Sequence, residues 1–324
     1  MSNIADIQNV VKSHLAQFDF FFEQQLKSPV PLLRSITNYI YRRKGKQLRP
    51  LTVFLCAQLN GRVGKKTHVG ATMVELLHSA TLMHDDVVDE AYERRGAFSI
   101  NALWRSKAAV LAGDFLLSQG LLVALENNSE DLLRIVSNAI RSMSEGELQQ
   151  MDKAQRLDCS EELYFEIIHK KTAALIQACA EVGAASVGAA QEHLQAMQEF
   201  GQALGMAFQL RDDVLDYHSN LLTGKTAGND IKEKKVTLPL IHALSQVNMK
   251  GQGQIISLVL GAKQKRKNIA QVINFVQQHK GIEYAEKITQ DYCFKAKSCL
   301  ANFPESEAKT ALLMLTDYIG SREK

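Results

Sequence analysis

Apolar residues recur at helical spacing along nearly the whole chain, and strictly alternating stretches are scarce. The pattern predicts thirteen helices, at about 4–25, 30–43, 50–60, 66–90, 99–125, 129–152, 160–188, 191–218, 236–248, 252–260, 265–278, 280–301 and 304–321. Two runs, LTVFLCAQL and IISLVLG, could be strands by content, but each continues into helix-periodic sequence. No proline stands between Pro50 and Pro239, and that interval is rich in the strong helix formers Ala, Leu, Glu, Gln and Met. The breaks carry turn chemistry: LNGRVGK, ERRGAFS, ENNSED, LTGKTAGND and QQHKG.

The segment AALIQACAEVGAASVGAA, residues 173–190, is loaded with small side chains that let helix backbones approach closely. With no linker, low-complexity segment or short repeat, residues 1–324 are expected to form a single all-α domain, a bundle with a deep central cavity. Thirty-eight basic against 35 acidic residues leave a net charge of +3, too balanced to suggest a nucleic-acid partner. Cys56, Cys159, Cys179, Cys293 and Cys299 form no CxxC pair and suit reduced core positions. No secretory signal is visible and no uninterrupted apolar run reaches the roughly 18–20 residues of a membrane span, so a cytoplasmic protein is expected.

Chemistry enters with two copies of one acidic pattern, Asp85-Asp86-Val87-Val88-Asp89 and Asp212-Asp213-Val214-Leu215-Asp216. At 100° per residue the three carboxylates of Asp-Asp-x-x-Asp fall within about 100° of one another, on one helix face. Such clustered anions repel unless cations hold them. Hard oxygen ligands without a Gly-bearing calcium loop suit Mg²⁺ shared with a phosphate. Fifteen Asp in 324 residues give roughly 0.03 such triplets by chance, so two are improbable as an accident. Basic residues cluster nearby: Lys44, Lys46 and Arg49; Arg94-Arg95; Lys170-Lys171; Lys225; and Lys234-Lys235. Six Asp and this many cations describe a cavity for more than one diphosphate, one bridged by metal and one gripped directly. About three Mg²⁺ with five or six Lys and Arg would nearly neutralise roughly twelve negative charges. A diphosphate so held in an apolar cavity suits heterolysis of an allylic C–O bond, since no water reaches the carbocation.

From Lys46 to Pro239 the ordered motifs resemble the trans-polyprenyl (isoprenyl) diphosphate synthase family, of the long-chain, octaprenyl- or heptaprenyl-like type. They run G-K-x-x-R-P; H-x-x-x-x-x-H-D-D-x-x-D-x-x-x-x-R-R-G; G-D-F-L at 113–116; S-E-G-E at 144–147; and K-T at 171–172. F-Q-x-x-D-D-x-x-D from 208, G-K-x-x-G-x-D from 224 and K-x-T-L-P from 235 complete the series. The resemblance implies the isoprenoid synthase bundle and the following roles. Lys46, Arg49, His78 and Arg95 would hold the diphosphate of isopentenyl diphosphate. Arg94, Lys171 and Lys235, with Lys225 assisting, would grip the allylic prenyl diphosphate. Asp85, Asp89 and Asp212 would ligate Mg²⁺, Asp216 would act through metal-bound water, and Asp86 and Asp213 would lie behind them. Thr172 and Gln209 would face the developing cation, with Lys171 also part of the catalytic set. A homodimer with at most peripheral membrane contact is further implied.

Two positions depart from the family pattern: Lys44 and Lys234 stand where glycine commonly precedes Gly45-Lys46 and Lys235. Ala80 and Thr81, five and four residues before Asp85, are small where short-chain members often carry aromatics, so a long product of about C30–C50, a quinone side chain in size, is expected; a ~36 Å helix lines a tunnel for about eight isoprene units. The alternatives are a C15–C20 synthase and a non-catalytic subunit, which would have lost Asp triplets or cationic grips. A terpene cyclase is disfavoured because it would not carry a second Asp triplet. Glu75-Leu-Leu-His78 and Glu166-Ile-Ile-His169 match the Glu-x-x-His of di-iron bundles, yet about 0.6 such matches arise by chance and that reading leaves both triplets idle.

Overall fold

A computed structural model describes residues 3–43, 45–94, 97–154, 160–218, 228–262 and 266–322. Sixteen α-helices follow one another among them, with one two-stranded ribbon: α1 Ile4–Val10, α2 Lys12–Gln25, α3 Pro31–Arg42, α4 Leu48–Asn60, α5 Lys65–Val88, α6 Ile100–Glu126, α7 Glu130–Ala154 and α8 Glu161–Ile168. Then come α9 Ala174–Ser186, α10 Gln191–Asp216, α11 Asn229–Lys232, α12 Leu238–Ser245, α13 Met249–Leu260, α14 Arg266–Gln278, α15 Gly281–Cys299 and α16 Glu307–Ser321. The ribbon pairs β1 Glu93–Arg94 antiparallel with β2 Ala97–Phe98 immediately after α5.

Three of the expected long helices are interrupted, the one over 99–125 by a kink at Arg105, φ 68° and ψ 162°, inside α6. The one expected over 4–25 breaks at Val11, whose backbone leaves the helical region while its side chain is fully buried. The one expected over 160–188 contains a π turn at His169–Ala173 between α8 and α9. Single π turns recur at functional sites because the extra residue rotates the side chains that follow. Here the turn carries Lys171 and Thr172 and is flanked by Gly205 of α10. A Cβ at Gly205 would stand 2.5 Å from the Ala173 Cα, so only glycine lets the two backbones meet at this distance. The small-residue segment 173–190 packs as expected: a Cβ at Gly183 would lie 2.5 Å from the Val53 carbonyl oxygen of α4.

Apolar side chains form two principal clusters joined along α10. Met197, Phe200 and Leu204 belong to the larger, built with α4, α5, α6, α9 and α16. Met206, Leu210 and Val214 belong to the other, built with α8, α12, α14 and α15. Running through both, α10 delivers its last turn, Asp212–Asp216, to the region where α5 also ends. Cys56, Cys179 and Cys293 are buried free thiols and Cys299 is a half-buried one; burial pushes Cys179 up to about 12.

By length and composition helix α6 could cross a membrane, the one such helix among the described residues. One face packs on α5 through Ala109, Ala112, Gly113, Leu116, Gly120 and Val123. The other exposes Leu111, Leu117, Leu121, Leu122 and Leu125. Lys107 and Asp114 interrupt its apolar run, so the helix holds no unbroken apolar stretch of span length.

Candidate active site

Both Asp triplets occupy the C-terminal turn of a helix. Asp85 lies in the last turn of α5, which Asp89 caps; Asp212 to Asp216 close α10. A helix C-terminus carries about half a unit of negative charge, so carboxylates there add to a field that already repels them. Neither last turn contains a basic residue of its own. Charge balance must come from other elements or from bound cations.

The triplets divide their side chains between cavity and core. Asp85 and Asp89 line a central cavity of about 370 Å³ together with Arg49, His78, Thr81, Met143, Glu147, Lys171, Thr172 and Gln209. The same cavity continues into apolar surface at Leu175, Cys179, Leu204, Phe208, Leu315 and Ile319. Asp86 and Asp213 turn inward and are buried. Asp213 accepts from the Tyr164 hydroxyl at 2.6 Å and from Gln209 Nε2 at 2.7 Å, and Gln209 Oε1 accepts from Thr172 Oγ1 at 2.6 Å. Burial first, and the neighbouring Asp212 and Asp216 charges, raise Asp213 to about 7 against those hydrogen bonds. This chain of contacts fixes Thr172 and Gln209 at the cavity wall from behind.

Asp216 spends both carboxylate oxygens on backbone donors, Asn229 N–H at 3.1 Å and Asp230 N–H at 3.0 Å, and so anchors the first turn of α11. The other end of α11 presents Lys235 through a Schellman closure: Lys235 N–H bonds the Asp230 carbonyl at 2.8 Å and Lys234 N–H the Ile231 carbonyl at 3.1 Å. That motif places Lys234 at φ 61°, in the left-handed region, which accounts for glycine being common there. Burial opposes the charge on Lys235, yet a 2.7 Å contact with Glu233 and the fields of Asp230 and Asp89 prevail and raise its pKa. Burial likewise lifts Asp230 to about 8, with Asp213 and Asp216 adding to it. A smaller cavity of about 130 Å³ lies among Tyr164, Lys171, Asp213, Asp230, Lys234 and Lys235, and shares Lys171, Thr172 and Gln209 with the central one.

Lys171 pairs with Glu147 and donates to Gln150 at 3.1 Å; Glu147 belongs to the S-E-G-E motif. On the opposite wall Arg49 and His78 line the cavity, while Lys46 donates to the Tyr318 hydroxyl of α16 at 2.6 Å. His84 faces α6, 3.4 Å from Asp114, with its ring where a Gly113 side chain would otherwise stand. Asp212 is bound by a residue that no motif indicated: Arg322, beyond α16, reaches it through Nη2 at 2.6 Å.

Thr81 lines the cavity, whereas Ala80 is buried and is not among the cavity-lining side chains. On a helix Ala80 shares the stripe of Leu77 and His84, both of which pack onto glycines of α6, Gly120 and Gly113. Arg95, Lys225, Lys44 and Cys159 lie outside the described residues; Arg94 is described only as backbone in β1. Tyr164, Asp230 and Tyr318 were missed as contributors. Asp230 ends the G-K-x-x-G-x-D motif and could have been marked from it, but nothing in the sequence sets the two tyrosines apart.

The donor set suits Mg²⁺. Among the described residues no three His, Cys, Asp or Glu side chains close into a ready metal cage. Asp85 and Asp89 instead offer carboxylates to an open cavity, the arrangement expected when substrate phosphate supplies the remaining oxygens. The absence of a closed cage also leaves the di-iron reading without a site among these residues, and Glu166 is occupied by Lys170 at 2.6 Å.

Comparison with known proteins agrees with this geometry. The polyprenyl synthetase family model matches residues 30–276. The chain is 36% identical to an octaprenyl diphosphate synthase of Haemophilus influenzae, covering 97% of this chain and 96% of that protein. It is 34% identical to a short chain isoprenyl diphosphate synthase of Methanothermobacter thermautotrophicus, over 91% and 92%. Among solved structures, a polyprenyl synthase from Caulobacter crescentus complexed with calcium and isoprenyl diphosphate superposes with a TM-score of 0.93 at 32% identity, covering 100% and 99% of the two chains.

The strained Schellman residue gives a direct test. Lys234→Gly relieves a left-handed conformation and is expected to stabilise the fold by about 1 kcal/mol, while Lys234→Ala, with the same φ to adopt, gains none of it. Urea unfolding of the three proteins side by side checks this.

Proposed function

The chain belongs to the polyprenyl synthetase family, and from that premise we propose that it condenses an allylic prenyl diphosphate with successive isopentenyl diphosphates into a long all-trans polyprenyl diphosphate. The observation that carries the reading is one continuous cavity. At its mouth are Asp85, Asp89, Arg49 and Lys171, and within the protein it is walled by Leu175, Leu204 and Leu315. Charged groups meet the diphosphates and apolar groups receive the growing hydrocarbon.

Each group then has a task. Lys171 and Lys235 grip the allylic diphosphate, with Arg94 and Lys225 joining them by the family pattern. Asp85, Asp89 and Asp212, with Asp216 behind, would hold Mg²⁺, about three ions per site, which when bound neutralise the departing pyrophosphate. Thr172 and Gln209 turn oxygen dipoles towards the allylic carbon as positive charge develops there, held by the Tyr164–Asp213 contact so that they need not reorganise. Lys46, Arg49, His78 and Arg95 position isopentenyl diphosphate so that its double bond attacks that carbon. The allylic C–O bond breaks, the C–C bond forms, and the departed pyrophosphate takes up a proton from the adduct, which restores an allylic diphosphate five carbons longer. The apolar wall excludes the water that would capture the cation.

Product length follows from how far that wall runs. With 24 residues α5 extends ~36 Å, and four residues before Asp85 the small Thr81 lines the cavity, beside Leu82 and His78. The chain therefore grows to about C30–C50, most fittingly C35–C40, the size of a quinone side chain; about eight units match the helix. The exposed leucine face of α6 is best covered by a second copy of this chain, because a non-obligate exposed patch of that size is uncommon on a monomer.

Three outcomes are expected. Asp85→Ala and Asp212→Ala should fold normally and lose at least about 10²-fold in turnover at saturating Mg²⁺, since each ligand acts on charge that appears only as pyrophosphate leaves; single-turnover assays check it. Thr81→Phe should shorten the product to C15–C20 with catalysis retained, read by chromatography of the dephosphorylated alcohols; unchanged lengths would place the growing chain elsewhere. Sedimentation should give twice the 36.1 kDa chain mass, and Leu117→Glu with Leu121→Glu should give the single chain. Binding of the wild-type chain to lipid vesicles without self-association would instead assign the α6 face to a membrane surface.

A further inference from the structure

Arg322 is the least expected member of the site. It follows α16, where the backbone turns from helical to extended. Its guanidinium, with only 10% of the side chain exposed, lies 3.9 Å from the centre of the Phe208 ring. Nη2 donates to the Phe208 carbonyl at 2.9 Å and contacts Asp212 Oδ1 at 2.6 Å. The backbone is tied down as well, since Arg211 Nε donates to the Arg322 carbonyl at 2.8 Å. Phe208, Arg211 and Asp212 are all on α10, so Arg322 is clamped along the last two turns of the helix that bears the second triplet.

These contacts put a fixed cation on a carboxylate that the proposed mechanism needs for metal. Asp212 keeps 44% of its side chain exposed, so the contact holds it without sealing it from solvent. A monovalent guanidinium and a divalent metal compete for the same oxygen lone pairs, and the metal wins only where phosphate oxygens complete its shell. We propose that Arg322 is a positioning residue that occupies Asp212 in the metal-free enzyme and gives it up on metal loading. The segment after α16 is thereby coupled to occupancy of the second triplet. This rests on the assignment of Asp212 as a metal ligand. By holding Asp212, Arg322 also suppresses metal binding in the absence of diphosphate, so that metal and allylic substrate load together.

The test is equilibrium Mn²⁺ binding, followed by electron paramagnetic resonance of free Mn²⁺. Wild type, Arg322→Ala and Asp212→Ala are each titrated with Mn²⁺ alone and with Mn²⁺ plus inorganic pyrophosphate. Removing the competing cation is expected to tighten Mn²⁺ binding alone by about three- to tenfold in Arg322→Ala. The gain should shrink when pyrophosphate is present. Hydrogen exchange in residues 312–322 of the wild type should rise on addition of Mn²⁺ and pyrophosphate, as the Arg211 and Asp212 contacts are released. Unchanged or weaker Mn²⁺ binding by Arg322→Ala, with wild type binding and Asp212→Ala impaired, would overturn the proposal alone. Equal Mn²⁺ binding by wild type and Asp212→Ala would overturn the metal assignment and the proposal with it.

Discussion

Carboxylates clustered at the negative ends of two helices set the terms for the rest of this molecule. The last turns of α5 and α10 contain no basic side chain, and the helix fields reinforce the repulsion among Asp85, Asp89, Asp212 and Asp216. A fold can relieve that repulsion with neutral partners, and this one does so at Asp213 and, through the Asn229 and Asp230 backbone N–H groups, at Asp216. Asp213, raised to about 7 by burial, is held by Tyr164 and Gln209. Asp85, Asp89 and Asp212 are left to cations supplied from elsewhere.

The surrounding architecture can be understood as the delivery of those cations. The π turn brings Lys171 to the cavity while Glu147 and Gln150 hold its ammonium group. The Schellman turn after α11 brings Lys235, and accepts a left-handed lysine to do so. Arg49 comes from the first turn of α4, and Arg322 from beyond α16. Elements distant in sequence thus converge on two helix ends. An electrostatic debt of this kind persists until metal and diphosphate arrive, and it ties binding to catalysis: the groups that balance charge at rest stabilise the pyrophosphate that leaves.

Much of this was legible in the sequence, for identifiable reasons. Helices with strong 3.6-residue periodicity, such as α5, α7 and α10, were expected within a few residues of their observed ends. The triplets announced themselves because three Asp in five positions of an apolar helix have no comfortable uncharged environment. Asp86 and Asp213 are buried, while His84 turns towards α6. What escaped notice depends on tertiary packing. Nothing local distinguishes 169–173 as a π turn, because its permission lies in Gly205, thirty-odd residues on. Ala80 and Thr81 differ by one position, and only the packing of Leu77 and His84 against α6 decides which of them meets the cavity. Arg322 sits in a short polar segment with no pattern, and its significance comes wholly from the α10 groups it touches.

The central claim is that a charged mouth and an apolar interior form one cavity in which a prenyl chain is lengthened repeatedly. Incubation of the purified wild-type protein with Mg²⁺, farnesyl diphosphate and radiolabelled isopentenyl diphosphate, followed by sizing of the dephosphorylated products, tests it most directly. The account predicts Mg²⁺-dependent products centred on C35–C40, about eight isoprene units along a helix of this length. Products that stop at C20, or no incorporation of label, would contradict it.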